Sequence, residues 1–421
     1  MRSSPSSPDA ALAGVRICDL SGQLAGAGAT RFLAAFGAQV IRVEDPVKQG
    51  RWDIVRGSRP FVDEREGIDL GGPFNNHNVE KLGVTINLRD ERGRELLASL
   101  IEVSDVVTEN FSAGALARLG FGYQRLVELR PDIIYVSNSG FGASGPYAKY
   151  KTFGPIVQAL CGLTFAAGLP GQPPAGIGYS YMDHMGANFM ALAILAALAH
   201  RNRTGEGQWV DMSCTEAGLG LAGPQLLDFT ANGRPMRREG SPDSNRSCAP
   251  PMAPHGVYRC RDTDGGDDWA AVACRDDADW RQLSSVVGTD WAQRPEYGTV
   301  TGRLAAQDEL DRGLAEWTAT RSVAEVEALL TGAGVPVAKV ARPQQRIDED
   351  PATSEFGLWP TVRHTKIGDV RVDGLPVHLS ETDWRIEHGA PCLGEHNELV
   401  FGELLGLPAG EIERLADEGV I

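Results

Sequence analysis

The sequence predicts an α/β protein, a parallel sheet flanked by helices, with a smaller α+β domain after it. Three observations carry this. Short apolar strands alternate with helical patterns from Gly14 to Ser137, the order of a parallel sheet. A strand, glycine-bearing turn, helix and strand open the chain as a Rossmann-like unit. Past about Asn232 the composition turns to Arg, Ser, Pro and Asn, and a hairpin and helical patterns follow.

In order, Gly14 to Leu20 reads as a strand and Ser21 to Gly28 as a turn. A helix from about Thr30 to Phe36 leads to the strand Gln39 to Glu44. Glu44 stands where a dinucleotide fold would hold a ribose, but no G-x-G-x-x-G precedes it, so the unit imitates a nicotinamide site without its glycine spacing. Gly83 to Leu88, Asp105 to Glu109 and Asp132 to Ser137 read as further strands. Glu91 to Val103 has helical periodicity, with Leu96, Leu97, Leu100 and Ile101 on one face. Helices are expected at Leu116–Leu119, Tyr123–Leu129 and Ile156–Cys161. A hairpin is expected from Gly256 to Cys274, with helices at Asp279–Val286, Thr301–Thr318 and Val323–Gly332. Val335 to Val340 returns to strand character, and Ala409 to Glu418 closes the chain as a polar helix.

The chain has 421 residues, 42% hydrophobic and 23% charged, which suits an ordinary soluble protein with a sizeable core. A net charge of −16 argues against nucleic acid or an anionic membrane as partner, since both need clustered Lys and Arg. The seven cysteines are odd in number and form no C-x-x-C pair, so free thiols in a reducing cytoplasm are expected, with no metal site. Residues 1–10 read as a disordered tail and not a signal peptide.

The stretch Gly176 to Glu216 concentrates the functional question. Asp183 stands before Ala187–Ala199, an uncharged run that predicts a helix buried on nearly all sides but too short to span a bilayer. His200 to Arg203 suit the negative end of its dipole, Thr204 to Gly207 stop it, and Gln208 to Ser213 follow as a strand. A carboxylate there is a helix cap or a reactive group, and capping is the commoner use.

Several ordered stretches now carry a resemblance: GVRICDLSGQLAGAGATRFLAAFGAQVIRVE, NVEKLGVTINL, ENFSAGALARLGFGY, IIYVSNSGFGASGPY and YMDHMGANFMALAILAALAHRNRTGEGQWVDMS. APHGVYRC, GAGVPVAKV and APCLGEHNELVFGELLGL continue it to the end. Together they resemble the class III CoA-transferases of the CaiB/BaiF type, the formyl-CoA and carnitine CoA-transferase group. The resemblance implies a Rossmann-like large domain built from both chain ends, and two subunits interlocked as a homodimer. The division it suggests is a large domain over 11–230, a linker or active-site loop over 231–255, a small domain over 256–333 and a return segment over 334–421.

The resemblance also implies the chemistry: CoA moves from an acyl-CoA thioester to a carboxylic acid through an aspartyl anhydride and an aspartyl-CoA thioester. No cofactor is held permanently, and coenzyme A enters as part of the substrate. The nucleophile's place falls on Asp183, expected near the helix start with at least one oxygen clear of it. Lys81, Asn110, Phe111 and Arg118 match positions that hold the nucleotide and its phosphates. Three departures stand out: Asp45 replaces a basic residue, Leu24 replaces a catalytic glutamine with Gln23 one place away, and Arg238 to Pro254 replaces a glycine-rich flap. His184 beside the nucleophile is a candidate to tune it, whereas His255 and His396 read as structural. An α-methylacyl-CoA racemase of the same fold needs a histidine where Phe153 stands, and phenylalanine cannot move a proton. An intramolecular CoA isomerase would use the same aspartate, and a CoA-binding protein without turnover would need Asp183 capped and inaccessible.

Overall fold

The computed structural model describes residues 9–169, 171–176, 178–239, 241–263 and 266–421. The expected tail thus lies, apart from Asp9 and Ala10, outside the described residues. The chain divides into a large unit of residues 1–165, 176–233 and 352–421 and a small unit of 166–175 and 234–351.

The large unit is built on β1 (Arg16–Asp19), α1 (Ala25–Ala35), β2 (Gln39–Glu44), α2 (Gly72–His77), β3 (Leu82–Thr85), α3 (Glu91–Glu102) and β4 (Val106–Glu109). After these come α4 (Ala115–Arg118), α5 (Tyr123–Leu129), β5 (Ile134–Ser139), α6 (Gly154–Leu160) and the short α7 (Leu163–Ala166). Next come α8 (Tyr181–Thr204), β6 (Trp209–Ser213), α9 (Cys214–Leu221) and α10 (Gly223–Asn232). The strands form one parallel sheet in the order β3-β2-β1-β4-β5-β6.

Alternate residues of each strand face opposite sides, and both sides are apolar. Ile17, Val40, Val106 and Ile134 pack with Leu33 of α1 and Met190 and Ile194 of α8. Cys18, Ile41, Val107 and Tyr135 face the other way, onto Leu97 and Ile101 of α3 and Leu126 of α5. The same layer takes in Phe401, Ile412 and Leu415 from the chain's last segment, so both ends of the sequence build one core.

Helix α8 differs from expectation on one face. Met182, Ala187, Met190, Ile194 and Leu198 are buried, but Phe189 and Leu192 are exposed, so the uncharged run is covered on one side only. By length and composition its 24 residues would also reach across a bilayer, yet the helix lies along the sheet against α1. It stops at Gly205 in the left-handed region, φ 78°, and Arg201 of its last turn pairs with Asp105 Oδ1 at 3.0 Å.

In the small unit, a two-strand ribbon of β7 (Ser247–Cys248) and β8 (Pro251–Met252) precedes β9 (His255–Arg259) and β10 (Trp269–Ala273). The expected hairpin is β9–β10, paired antiparallel. Then come α11 (Asp277–Val287), α12 (Val300–Ala305), α13 (Gln307–Ala319), α14 (Val323–Gly332) and β11 (Val337–Lys339). The single helix expected over Thr301–Thr318 is broken at Ala306. Strand β11 pairs with β10, which keeps residues 334–351 in this unit instead of returning them to the large one. Of the stretch expected to be a linker or active-site loop, residues 231–255, the part from 234 on falls in this unit, where the Arg246 guanidinium bridges Asp308 at 2.6 Å and Asp311 at 2.7 Å.

A chain of buried charges underlies the β1–α1 turn. Asp19 accepts from Thr30 Oγ1 at 2.6 Å, Thr108 Oγ1 at 2.9 Å and Lys81 Nζ at 3.2 Å. Arg42 donates to Ser21 O at 2.8 Å and to Asp53 Oδ2 at 2.6 Å, and the same oxygen accepts the Gln23 N–H at 3.0 Å. Burial opposes ionisation of Asp19, but Lys81, Arg42 and the hydroxyls outweigh it and hold its pKa below the ordinary carboxylate value. Replacing Lys81 by Met leaves the Asp19 charge short of its nearest cation. It is expected to destabilise the protein by about 3–5 kcal/mol, read from the urea midpoint.

Candidate active site

The loops leaving the C-terminal ends of β1, β4 and β5 meet at one edge of the sheet. The strand order reverses between β1 and β4, where ligands bind in open parallel sheets. Asn110, just past β4, closes that crevice. Its Oδ1 accepts from Gly22 N at 2.8 Å and its Nδ2 donates to Gly22 O at 2.9 Å. Phe111 follows, edge-on to Trp52 at 5.3 Å, with its N–H held by Glu109 Oε2 at 2.6 Å. Burial pushes the Glu109 carboxyl up to about 7.

These residues wall a cavity of about 500 Å³ that also takes in Gln23, Asn138, Lys151, Phe153, Cys214 and Asp183. Asp183 sits in the first turn of α8, third residue of the helix, whereas the N-cap position falls on Ser180. The carboxylate therefore does not occupy the cap. It approaches the start of α6 so closely that a Cβ on Gly154 would lie 2.6 Å from its Oδ2, which only glycine permits. Burial raises its pKa to about 6, while the Ser180 hydroxyl and the Gly154 N–H pull it back part of the way. Two helix starts thus face one carboxylate, and N–H groups there favour negative charge.

Cys214 is the one thiol among the described residues lining the cavity. Its thiol donates to Asn138 Oδ1 at 3.0 Å, and burial followed by the Asp183 charge pushes it up to about 12, so it stays protonated at neutral pH.

The remaining expected residues divide. Asn110, Phe111 and Asp183 come together in the cavity. Arg118 ends α4 as an exposed cation that donates to Ala113 O at 3.3 Å, and it does not line the cavity. Lys81 is a correction. Its ammonium is buried among Asp19, Ala27 O at 3.0 Å and Asn78 Oδ1 at 3.0 Å, so it braces the β1–α1 turn and has no face for a phosphate. Glu44 is likewise sealed, held by Arg56 at 2.8 and 2.5 Å, which removes it as a ribose partner. Asp45 accepts from Val47 N at 2.8 Å in a turn.

His184 turns toward Tyr179, stacked at 4.9 Å, and toward His77 at 5.5 Å, and does not line the cavity. His396 accepts from Gly83 N at 3.0 Å, the structural use expected of it. Phe153 lines the cavity beside Asp183 where a racemase would need its histidine. Lys151, Asn138 and Trp52 join the site without having been expected there. Lys151 lies in the loop before α6, Asn138 near the C-terminal end of β5 and Trp52 in the segment between β2 and α2, places that point to a site only once strand order is known.

Gly154→Ala is expected to destabilise the fold by about 1–3 kcal/mol through the clash with Asp183, seen as a lower Tm. Pairing it with Asp183→Gly should recover part of that loss, because the two side chains compete for one space.

The fold and the cavity have known counterparts. Residues 12–397 match the model of CoA-transferase family III. The succinyl-CoA–D-citramalate CoA-transferase of Chloroflexus aurantiacus is 31% identical over 417 residues, covering 98% of this chain and 99% of its own. The formyl-CoA:oxalate CoA-transferase of Streptomyces coelicolor is 31% identical over 420 residues, with the same coverage. Among solved structures, a CaiB/BaiF family protein from Brucella suis superposes with a TM-score of 0.84 at 28% identity, covering 94% of this chain and 100% of its own. A family match over almost the whole chain, joined to a carboxylate at the switch point of a parallel sheet, leads to one conclusion: this chain belongs to the class III CoA-transferases.

Proposed function

We propose that the protein transfers coenzyme A from an acyl-CoA thioester to a carboxylic acid, with Asp183 as the nucleophile. One observation carries the reading: a partly buried carboxylate, raised to about 6, faces a cavity large enough for an acyl group and a pantetheine end. A raised pKa makes the oxygen more basic while leaving it mostly ionised at pH 7.

The steps balance without an external acid or base. An Asp183 oxygen attacks the thioester carbonyl, the C–S bond breaks, and CoA leaves as thiolate with an acyl–aspartyl anhydride behind it. The thiolate attacks the aspartyl carbonyl, forming an aspartyl-CoA thioester and releasing the donor acid as carboxylate. The acceptor carboxylate then attacks that thioester, giving a new anhydride and freeing the thiolate again. Attack of the thiolate on the acceptor's carbonyl forms the product and restores Asp183. The Gly154 N–H and the start of α8 are suited to the oxyanion that forms at the aspartyl carbonyl.

Asn110 and Phe111 form the wall for the thioester's carrier, and Arg118 serves its phosphates from outside the cavity. The relatives' named acids, citramalate and oxalate, and the polar lining support short dicarboxylic acids as substrates. A second copy of the chain completes the assembly as an interlocked homodimer. Support comes from the exposed Phe189 and Leu192 of α8 and Leu226, Leu227 and Phe229 of α10. The buried thiols support a cytoplasmic setting.

Incubation with succinyl-CoA followed by isotope-labelled hydroxylamine should convert Asp183 to its labelled hydroxamate in the wild type, read as a mass shift of the Asp183 peptide, and leave the Asp183→Ala protein unlabelled. Label elsewhere, or equal turnover by Asp183→Ala, refutes the reading. The pH profile supplies a second check. Asp183 must be ionised to attack, so kcat/KM should fall about tenfold per unit below about pH 6. The raised pKa also means that ionisation costs stability as pH climbs from the unfolded value of 3.8 through 6. Asp183→Asn should therefore gain more in Tm over the wild type at pH 8 than at pH 4.5, as measured by thermal melts.

A further inference from the structure

Gln23 has a backbone that residues with side chains rarely adopt, φ 56°, at the lip of the cavity that holds Asp183. The conformation is imposed from beneath. Asp53 Oδ2 accepts the Gln23 N–H at 3.0 Å and is fixed by the fully buried Arg42 at 2.6 Å. On the other side of the turn, Asn110 clamps both polar groups of Gly22. Glycine would take this position without strain, so a buried ion pair maintaining a glutamine there calls for a use of its side chain.

Three carboxamides line the cavity, and two are engaged. Asn110 is taken up by Gly22. Asn138 accepts the Cys214 thiol and directs its Nδ2 at Met190 Sδ, 3.5 Å away. Among the described residues the Gln23 carboxamide makes no hydrogen bond, although Gln23 is half-buried on the cavity wall. A group able both to donate and to accept is thus presented to whatever fills the space beside Asp183.

We infer that Gln23 is a specificity residue whose carboxamide hydrogen-bonds an oxygen of the acid beyond the carboxyl group activated at Asp183. This rests on the transferase reading above. It makes the preferred acids short ones bearing a further hydroxyl or carboxyl oxygen, because an apolar chain would leave the amide unpaired in a closed site.

The test compares wild type, Gln23→Gly and Gln23→Leu with succinyl-CoA as donor and L-malate, succinate or butyrate as acceptor. In a ping-pong reaction kcat/KM for the acceptor is independent of the donor, so the ratio of malate to butyrate isolates the contact. Both variants should lower that ratio about tenfold, the loss of one hydrogen bond, with butyrate unchanged. Gln23→Gly keeps the turn and relieves its backbone, so it also separates a role in folding from a role toward substrate. A Gln23→Gly protein with the wild-type ratio overturns the inference, as does an equal loss on all three acids. If the wild type moves no CoA, the reading of Asp183 falls, and this inference with it.

Discussion

The buried charges beneath the β1–α1 turn are the constraint on which the rest of the site depends. Asp19, Glu44, Asp53 and Asp69 face Lys81, Arg42 and Arg56, with Lys366 reaching Asp69 from the partly exposed side. Such ions are costly to desolvate and are retained only with near-complete pairing, so each fixes its partner's position. Arg42 is the hinge of the set. It holds Ser21 O directly and Gln23 N–H through Asp53, which fixes where the loop after β1 stands relative to β2 and the segment after it. The apolar core around this network would tolerate repacking, but an ion network of this kind would not. The turn that walls the crevice is therefore positioned by buried ion pairs.

Opposing forces act on Asp183. Desolvation drives its carboxyl toward the neutral form, while the Ser180 hydroxyl and the Gly154 amide favour the anion. Full satisfaction by the two helix starts would yield a well-stabilised, weakly nucleophilic carboxylate. Burial without those groups would yield a neutral acid at pH 7. The observed balance, near 6, lies between the two, and it depends on Gly154 having no side chain. Backbone shape and reactivity are thus one problem at this residue.

Much of the fold is legible in the sequence. Strands β1 to β5 and helices α3 and α5 follow from period-2 and 3.6 patterns, because each of those segments buries its own apolar residues. Helix α1 begins about five residues before its pattern suggests. Gly26 and Gly28 read as turn residues, but they are the small residues that let α1 pack against Ser21 and against Ala187 of α8. Strand β11 belongs to the small unit against expectation, because a strand of three residues, Val337–Lys339, does not say which sheet it joins. In the site, Asp183 is reached through resemblance, and local chemistry alone points to a cap. Lys81 misleads for a related reason: its partner Asp19 lies 62 residues earlier, and a lysine in a polar stretch shows nothing of that. Lys151 and Gln23 depend on three loops meeting at one sheet edge, a fact about strand order that no local window contains.

Cys214 shows why the cavity would direct acyl transfer to oxygen and not to sulfur. A free thiolate is the stronger nucleophile toward a thioester, and an acyl-cysteine at this place would trap the group. Burial and the negative charge of Asp183 both raise the thiol, to about 12, and Asn138 holds its proton. The same burial raises Asp183 only to about 6, because a carboxylate starts some five units below a thiol. One buried position therefore leaves the acid mostly ionised and the cysteine protonated at neutral pH. Ionisation of Asp183 adds to the field that keeps Cys214 protonated.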